Sequence, residues 1–334
     1  MISIIQEEKT WKTTLKRFDS YDFYHTYDYH VISKKDDEKP ILVLFENNGQ
    51  VLAIPFLMRS IPGTEFFDLT SVYGYAGPVC DNIKNNHDFA LAFNRFLKEK
   101  NIVSIFSRLH PFIKGQEDVL KGLGQTPTIG KVVNIDLTSD LAQQRTQYSK
   151  STKNRTNKCR KLCTIRKAKT DEDIDTFIDI YYENMDRLSA SKDYYFSRNY
   201  FFDFMKCDDF ETEILMVFHN EDDVAIAASM FVKTNSYVQF HLSGSRTSYL
   251  HLAPANVFLD EMRVLATNDG YDYFNLGGGL GGREDSLFDF KSSFSNDYRD
   301  FKVWKYIVNN EVYNELSKNK IGVDNESFFP LYRK

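Results

Sequence analysis

Four cysteines in 334 residues, Cys80, Cys159, Cys163 and Cys207, are too few and too scattered for a disulfide framework. Cys159 and Cys163 would share a helix face, but no nearby histidine or second cysteine pair completes a zinc site, so the expectation is four reduced, structural thiols and no metal. Long apolar runs are also missing. The longest, Val51 to Met58, is far short of the roughly 18–20 residues that span a bilayer. The first residues, Met1-Ile2-Ser3-Ile4-Ile5-Gln6-Glu7-Glu8-Lys9, lack the basic, apolar and small-residue order of a secretory signal, which points to a cytoplasmic protein. No nucleophile elbow, phosphate-binding P-loop or zinc-protease helix motif occurs, so covalent-nucleophile and metal-hydrolase chemistry have no sequence support.

What the chain has in quantity is aromatic surface, 28 Phe and 20 Tyr, within a composition that is 42% hydrophobic and 27% charged. That is the make-up of a folded protein, and the length suits two domains of ordinary size. The formal net charge of −5 is unevenly spread. Arg145 to Lys169 holds ten Lys and Arg and no acid, leaving 32 basic against 47 acidic residues elsewhere. A run of cations without one acid cannot pair internally at i,i+4, so Lys150, Lys153, Arg155, Lys158, Arg160 and Lys161 are candidates to neutralise a polyanion. A solvated helix face is the ordinary alternative.

The chain repeats itself. Leu42-Val43-Leu44-Phe45-Glu46-Asn47 is echoed by Leu215-Met216-Val217-Phe218-His219-Asn220 at an offset of 173 residues that persists through Val51 and Val224. Both copies read as hairpins, one turning at Asn48-Gly49 and the other at Glu221 to Asp223. An aromatic strand follows each (66–75; 237–243), then a helix, with Phe89, Phe93, Phe96 and Leu97 on one face in the first copy. Phe258, Met262, Leu265 and Ala266 do the same in the second, where Pro254 suits the helix start. Strands at 102–106 and 271–276 close the units. Ile174, Phe177, Ile178, Tyr181, Met185 and Leu188 mark another amphipathic helix, and 301–308 and 312–316 read as a strand and a short helix before a polar tail. The expected fold is α/β (α+β), two tandem domains with mixed sheets flanked by helices, 1–145 and 146–304, with 305–334 packing back on the first. Their junction is a natural place for a cleft.

Hairpin, strand, helix, strand resembles the GNAT acyltransferase unit, and two in tandem resemble the FemAB family. The resemblance rests on Tyr73-Gly74-Tyr75-Ala76-Gly77-Pro78-Val79, the basic segment Ser151 to Lys161, Leu242-Ser243-Gly244-Ser245 with Leu252-Ala253-Pro254-Ala255-Asn256, and Asn275-Leu276-Gly277-Gly278-Gly279 with Phe290-Lys291-Ser292-Ser293-Phe294. It covers roughly 20 to 308. The resemblance implies a peptidyltransferase of peptidoglycan biosynthesis that moves an amino acid from aminoacyl-tRNA to a cell-wall precursor. A related acetyltransferase-like branch, tied to polysaccharide synthesis, would use an acyl thioester such as acyl-CoA instead. Neither implies a tightly bound cofactor, and both imply work at the inner membrane face with only peripheral membrane contact.

Acyl transfer to an amine needs a deprotonated amine, a fixed carbonyl and a positive group where oxyanion charge develops. Lys291, matching the family's Phe-Lys motif, is the candidate for that group, the alternative being a solvated surface lysine. Phe290 would stack on a donor adenine or fill the core. Gly277, Gly278 and Gly279 suit close backbone approach to a donor, or a plain loop. Pro254 opens the helix where a GNAT enzyme holds pyrophosphate, although Leu250-His251-Leu252-Ala253-Pro254-Ala255 departs from the usual coenzyme A loop. His241, on the strand facing the presumed cleft, is a further donor-side candidate, with a satisfied core histidine as its alternative. For the acceptor, the resemblance points to Tyr75 and Asp81, the latter to orient or deprotonate the amine, and to Arg198 for a phosphate or carboxylate, against a surface ion pair. A non-catalytic nucleic-acid-binding protein is the alternative from another class, opposed by the acidic remainder of the chain.

Overall fold

The computed structural model describes residues 1–81, 85–320 and 328–334. Along the chain run β1 (Ile2–Ile5), α1 (Glu8–Leu15), α2 (Tyr27–Ser33), β2 (Glu38–Asn47), β3 (Gln50–Ser60), β4 (Phe67–Thr70), β5 (Val79–Asp81), α3 (His87–Glu99), β6 (Ile102–Arg108) and α4 (Gln116–Leu120). Then follow β7 (Thr128–Asp136), α5 (Leu141–Thr146), α6 (Lys150–Leu162), β8 (Cys163–Lys167), α7 (Asp171–Arg187), α8 (Arg198–Lys206), β9 (Glu211–His219) and β10 (Ala225–Thr234). The last elements are β11 (Tyr237–Ser245), α9 (Ala255–Asn268), β12 (Tyr273–Gly277), α10 (Ser286–Ser292), β13 (Asp297–Ile307) and α11 (Asn310–Ser317). Two compact units result: Met1–Ile129 with Asp300–Lys334, and Gly130–Arg299. The sequence repeat puts its boundary near residue 146.

In the first unit the strands lie in the order β1-β2-β3-β4-β6-β13, with β5 on the far part of β3. The β2–β3 hairpin turns through Asn48 and Gly49 at φ 47° and 78°, the two positive values a two-residue turn needs. β4 continues antiparallel, α3 crosses over, and β6 returns parallel to β4. That crossover buries Phe89, Phe93 and Leu97 almost completely, each removing roughly 1.5–3 kcal/mol of apolar exposure. At the C-terminus Arg333 Nε and Tyr332 Oη donate to buried Asp68 at 2.8 and 3.0 Å, while Arg59 Nε donates to its other oxygen at 2.7 Å.

The second unit repeats the plan. β9 and β10 form the hairpin, β11 lies antiparallel to β10, α9 crosses over, and β12 returns parallel to β11. β7 and β8 extend the sheet on its two sides, giving β7-β12-β11-β10-β9-β8. Phe258, Met262 and Ala266 of α9 are fully buried. α7 begins with a reciprocal cap between Thr170 and Asp173 and buries Ile174, Phe177, Ile178, Tyr181 and Met185 on the opposite side of the sheet from the α9 core. The mixed α/β fold expected from the repeat is therefore present in both units.

Several expectations change in detail. Leu188 is 57% exposed, because α7 ends at Arg187 and the apolar period runs one turn too far. The aromatic segment 66–75 is strand only over Phe67–Thr70, after which Gly74 and Gly77, both at positive φ, carry the chain through a turn. β7 is not among the elements expected from sequence, although Val133, Ile135 and Leu137 alternate with Asn134 and Asp136 and are buried in the core of the second unit, while the first residues of the strand are exposed. The polar tail expected beyond Leu316 falls in part on 321–327, outside the described residues.

Candidate active site

The second unit gathers one cluster around Lys291. β12 ends at Gly277 (φ 74°), and the turn is set from within the sheet: buried Asn275 donates through Nδ2 to Gln239 Oε1 at 2.8 Å and accepts from Gly277 N at 2.9 Å. Glycine is required in the turn by proximity. A Cβ on Gly278 would lie 2.5 Å from the Lys131 carbonyl oxygen, and one on Gly279 only 2.1 Å from that of Arg283. Asp285 then fixes the turn to α10, accepting from Leu280 N at 2.9 Å and capping the helix at Leu287 N and Phe288 N. The glycine run is thus a tied turn.

Lys291 sits in the last turn of α10, where a lysine is normally solvated. Here it is 7% exposed. Its Nζ donates to the Gly278 carbonyl oxygen at 2.6 Å and lies 5.8 Å from the centroid of Phe240. Burial lowers its pKa to about 7, with Asp285 partly opposing the shift. Among the described residues a single carbonyl and an aromatic face replace its water, so an added negative charge beside it would be strongly favoured. The sequence points to this residue but not to its burial.

Phe240 belongs to a bulge. The β10–β11 register slips between Met230 and Phe231, leaving His241 as the extra residue of β11. Phe240 consequently faces Phe258 of α9 and Lys291, whereas His241 stacks on Phe204 of α8 at 5.0 Å and shares a 3.1 Å hydrogen bond with Tyr200 Oη. Burial lowers the His241 pKa to about 3, which keeps the ring neutral. Phe290 is half-buried and meets Phe294 edge-on at 5.4 Å within the core. Pro254 begins α9 one turn before Phe258. The N–H groups of Asn256 and Val257 are bonded to the carbonyls of Ala253 and Pro254 at 3.1 and 3.0 Å, which leaves little for an anion at this helix start.

Tyr75 and Asp81 lie in the first unit. Tyr75 is half-buried, edge-on to Tyr24 and Phe301, and the following turn is held by Gln116, whose Nε2 donates to the carbonyls of Ala76 and Pro78. Beside it, and not anticipated from sequence, the Arg108 guanidinium lies over exposed Tyr73 at 5.4 Å. Asp81 ends β5, its pKa raised by partial burial and by the charge of Asp19. Another feature the sequence does not disclose is the fully buried pair His110 Nε2 and Asp22 Oδ2 at 2.9 Å. Arg198, at the start of α8, is exposed, forms a two-pronged pair with Asp175 at 2.5 and 2.7 Å, and packs over Phe202.

The basic run becomes α6 and divides by function. Arg160 turns inward, donating to Asp260 at 2.9 and 3.1 Å and to Glu261 at 2.8 Å. Asp260, 1% exposed, also accepts from Arg263 and from Tyr148 Oη. Lys153 donates to the Thr146 carbonyl at 3.1 Å. Lys150, Arg155, Lys158 and Lys161 are exposed and form no ion pair among the described residues. Among the described residues no group of three or more His, Cys, Asp or Glu is placed to hold a metal, and no helix is long and apolar enough to cross a membrane.

Residues 211–300, from the second hairpin through Lys291, match the model of the FemAB family. The chain is similar in structure to FemX, with a TM-score of 0.75 and 11% identity over 94% of this chain and 99% of that one. It also resembles the C-terminal domain of a protein described as a lysylphosphatidylglycerol synthetase from Agrobacterium fabrum, with a TM-score of 0.57 and 12% identity over 90% and 92% of the two chains. A tandem GNAT protein from the clavulanic acid biosynthesis pathway gives a TM-score of 0.50 and 9% identity, covering 91% and 98%. No curated protein matches the sequence. The expected resemblance to the FemAB family and the tandem GNAT fold are both present.

Proposed function

We propose that the protein is a FemAB-type transferase that moves an aminoacyl group from aminoacyl-tRNA to an amine of a peptidoglycan or cell-surface polysaccharide precursor. The observation that carries this reading is the under-solvated Lys291 ammonium against the Gly278 carbonyl and Phe240. The FemAB match across residues 211–300 and the likeness to FemX support it. Fold alone does not select a reaction, whereas a buried ammonium favours one that develops negative charge beside it.

In such a reaction the acceptor nitrogen attacks the ester carbonyl, and an oxyanion develops on the carbonyl oxygen. A buried cation stabilises that charge more than the neutral ester, which is the differential binding that accelerates a reaction. Collapse breaks the ester C–O bond, and the departing ribose oxygen takes up a proton while the nitrogen loses one. With a pKa of about 7, Lys291 is also suited to hand its own proton to that oxygen. Tyr75 and Asp81 of the first unit, the latter with its raised pKa, and Arg198 of the second are the residues proposed to bind the acceptor.

An acyl-CoA donor is the competing reading on the same fold. The bonded N–H groups of Asn256 and Val257 count against a pyrophosphate at the start of α9. The deciding experiment follows transfer of a radiolabelled amino acid from aminoacyl-tRNA to a UDP-linked muramyl pentapeptide, beside acetyl transfer from acetyl-CoA to the same acceptor. Labelled muropeptide that disappears with Lys291→Met supports the proposal. Transfer from acetyl-CoA alone, or Lys291→Met with wild-type turnover, overturns it.

A further inference from the structure

The exposed face of α6 carries Lys150, Ser151, Asn154, Arg155, Asn157, Lys158 and Lys161: four cations, no acid and no apolar side chain. Arg145 to Lys169 carries ten basic residues and no acid in a chain whose remainder is acidic. Arg160, Arg145 and Lys153 already have partners within the fold, with Arg145 Nη2 donating to Asn157 and its Nη1 lying 3.6 Å from Asp260. The other four cations are not needed to hold the helix. Thr152, Thr156 and Cys159 bury the opposite face, and Ser149 caps the first turn through Thr152 N at 3.1 Å.

The helix also has a defined relation to Lys291. Thr152 Oγ1 donates to Ser293 Oγ at 2.7 Å and Ser149 N donates to the Ser293 carbonyl at 2.8 Å, so the start of α6 is bonded to the residue two positions after Lys291. From Lys150 to Lys161 the helix rises about 16 Å at 1.5 Å per residue. That length is enough for the four exposed cations to meet several successive phosphates of one polynucleotide strand.

We propose that this face is a docking rail for the phosphate backbone of a folded RNA, set so that the RNA end is delivered toward Lys291. The inference deepens the proposed function and rests on its aminoacyl-tRNA donor. Phosphates suit the face better than a bilayer does, since an amphipathic helix that lies in a membrane brings apolar side chains to insert, and this face has none. The rail reads charge and spacing, so it would be indifferent to nucleotide sequence and sensitive to salt.

The test titrates the full chain with fluorescently labelled, uncharged tRNA transcript at several salt concentrations, for wild type and for the Arg155→Gln/Lys158→Gln/Lys161→Gln variant. The three side chains are exposed, and an unchanged melting temperature verifies that the variant folds. Wild type should bind with a steep log Kd against log salt slope. The variant should lose about tenfold to a hundredfold in affinity at 0.1 M salt, and its slope should fall by about 2 to 3. Equal Kd and slope for both proteins would overturn the rail. Binding of phosphatidylglycerol vesicles but not tRNA, lost in the variant, would overturn it as well and make α6 a membrane contact. Binding needs no turnover, so the two readings fail separately: tRNA held on α6 without any transfer removes the transferase, and transfer with tRNA binding unaffected by the three substitutions removes the rail.

Discussion

Lys291 donates its Nζ hydrogen to the carbonyl oxygen of Gly278 at 2.6 Å, and that bond joins the short helix α10 to the glycine turn after β12. A main-chain acceptor fixes the ammonium without neutralising it. The charge stays available to a ligand, at the expense of burying an amine whose pKa falls from 10.5 to about 7.

Replacing Lys291 by Met keeps the unbranched chain and removes the charge. Transfer should fall by about 10²–10³ in kcat, the usual effect of losing one oxyanion-stabilising donor, with the melting temperature unchanged or raised. Lys291→Arg should not restore activity, because a planar guanidinium cannot reproduce the single-point contact of the ammonium with the Gly278 carbonyl. Wild-type kcat in Lys291→Met would remove Lys291 from the chemistry.

The same group predicts a pH limit. A lysine needed as the ammonium loses its proton as pH rises through about 7, where an ordinary lysine keeps it to 10.5. The dependence of kcat/KM on pH should therefore carry a falling limb near neutrality. Nitrogen NMR of labelled lysine should find one side chain titrating there that is missing in Lys291→Met. A falling limb only above pH 10 would contradict the buried setting.

Gly279 is limited by space. Its added Cβ would lie 2.1 Å from the Arg283 oxygen and 2.4 Å from Asp285 Oδ1, so Gly279→Ala must displace the turn. Overpacking of this kind costs about 1–3 kcal/mol, readable in urea melts. Because Asp285 ties the turn to α10, activity should fall further than the stability loss explains. Native stability in the alanine variant would mean that the turn adapts freely.

Asp260 holds Arg160, Arg263 and Tyr148 together. Asp260→Asn should destabilise the second unit by about 3–5 kcal/mol, since buried Arg263 would lose its counter-charge. Burial raises the carboxyl pKa, but Arg263 and Arg160 outweigh it and the net shift is downward. The ionised form is thus favoured by folding. Its contribution is complete above the unfolded value near 4 and is lost as pH falls through the lower folded value. Urea melts at pH 7 and pH 3 should show wild type losing a stability increment that Asp260→Asn never had.

Arg198 offers a test of the acceptor side. Its guanidinium is engaged by Asp175, so the acceptor anion proposed to bind there would have to displace that carboxylate. Asp175→Asn should lower the acceptor KM several-fold and Arg198→Ala raise it about tenfold, with kcat little changed, as expected of a planar fork that binds without reacting. No movement of KM in either variant would leave the two as a surface ion pair.

The repeat at an offset of 173 residues, the Asn48-Gly49 turn, the buried faces of α3 and α9 and the acid-free run were all legible in the chain, because apolar period and turn chemistry are local properties. Tertiary structure decided the rest. The run that spelled α6 did not say that Arg160 would turn inward to Asp260 while Arg155, Lys158 and Lys161 stayed in solvent. Neither His241 as the extra residue of a bulge nor the Asp22–His110 pair has a local signature, since each depends on which strand lies alongside. Lys291 shows the division most plainly: the sequence put a lysine after a glycine run, and only the packing of α10 against Gly278 and Phe240 made it a buried ammonium. A charge takes its properties from the groups that replace its water, and those come from distant parts of the chain.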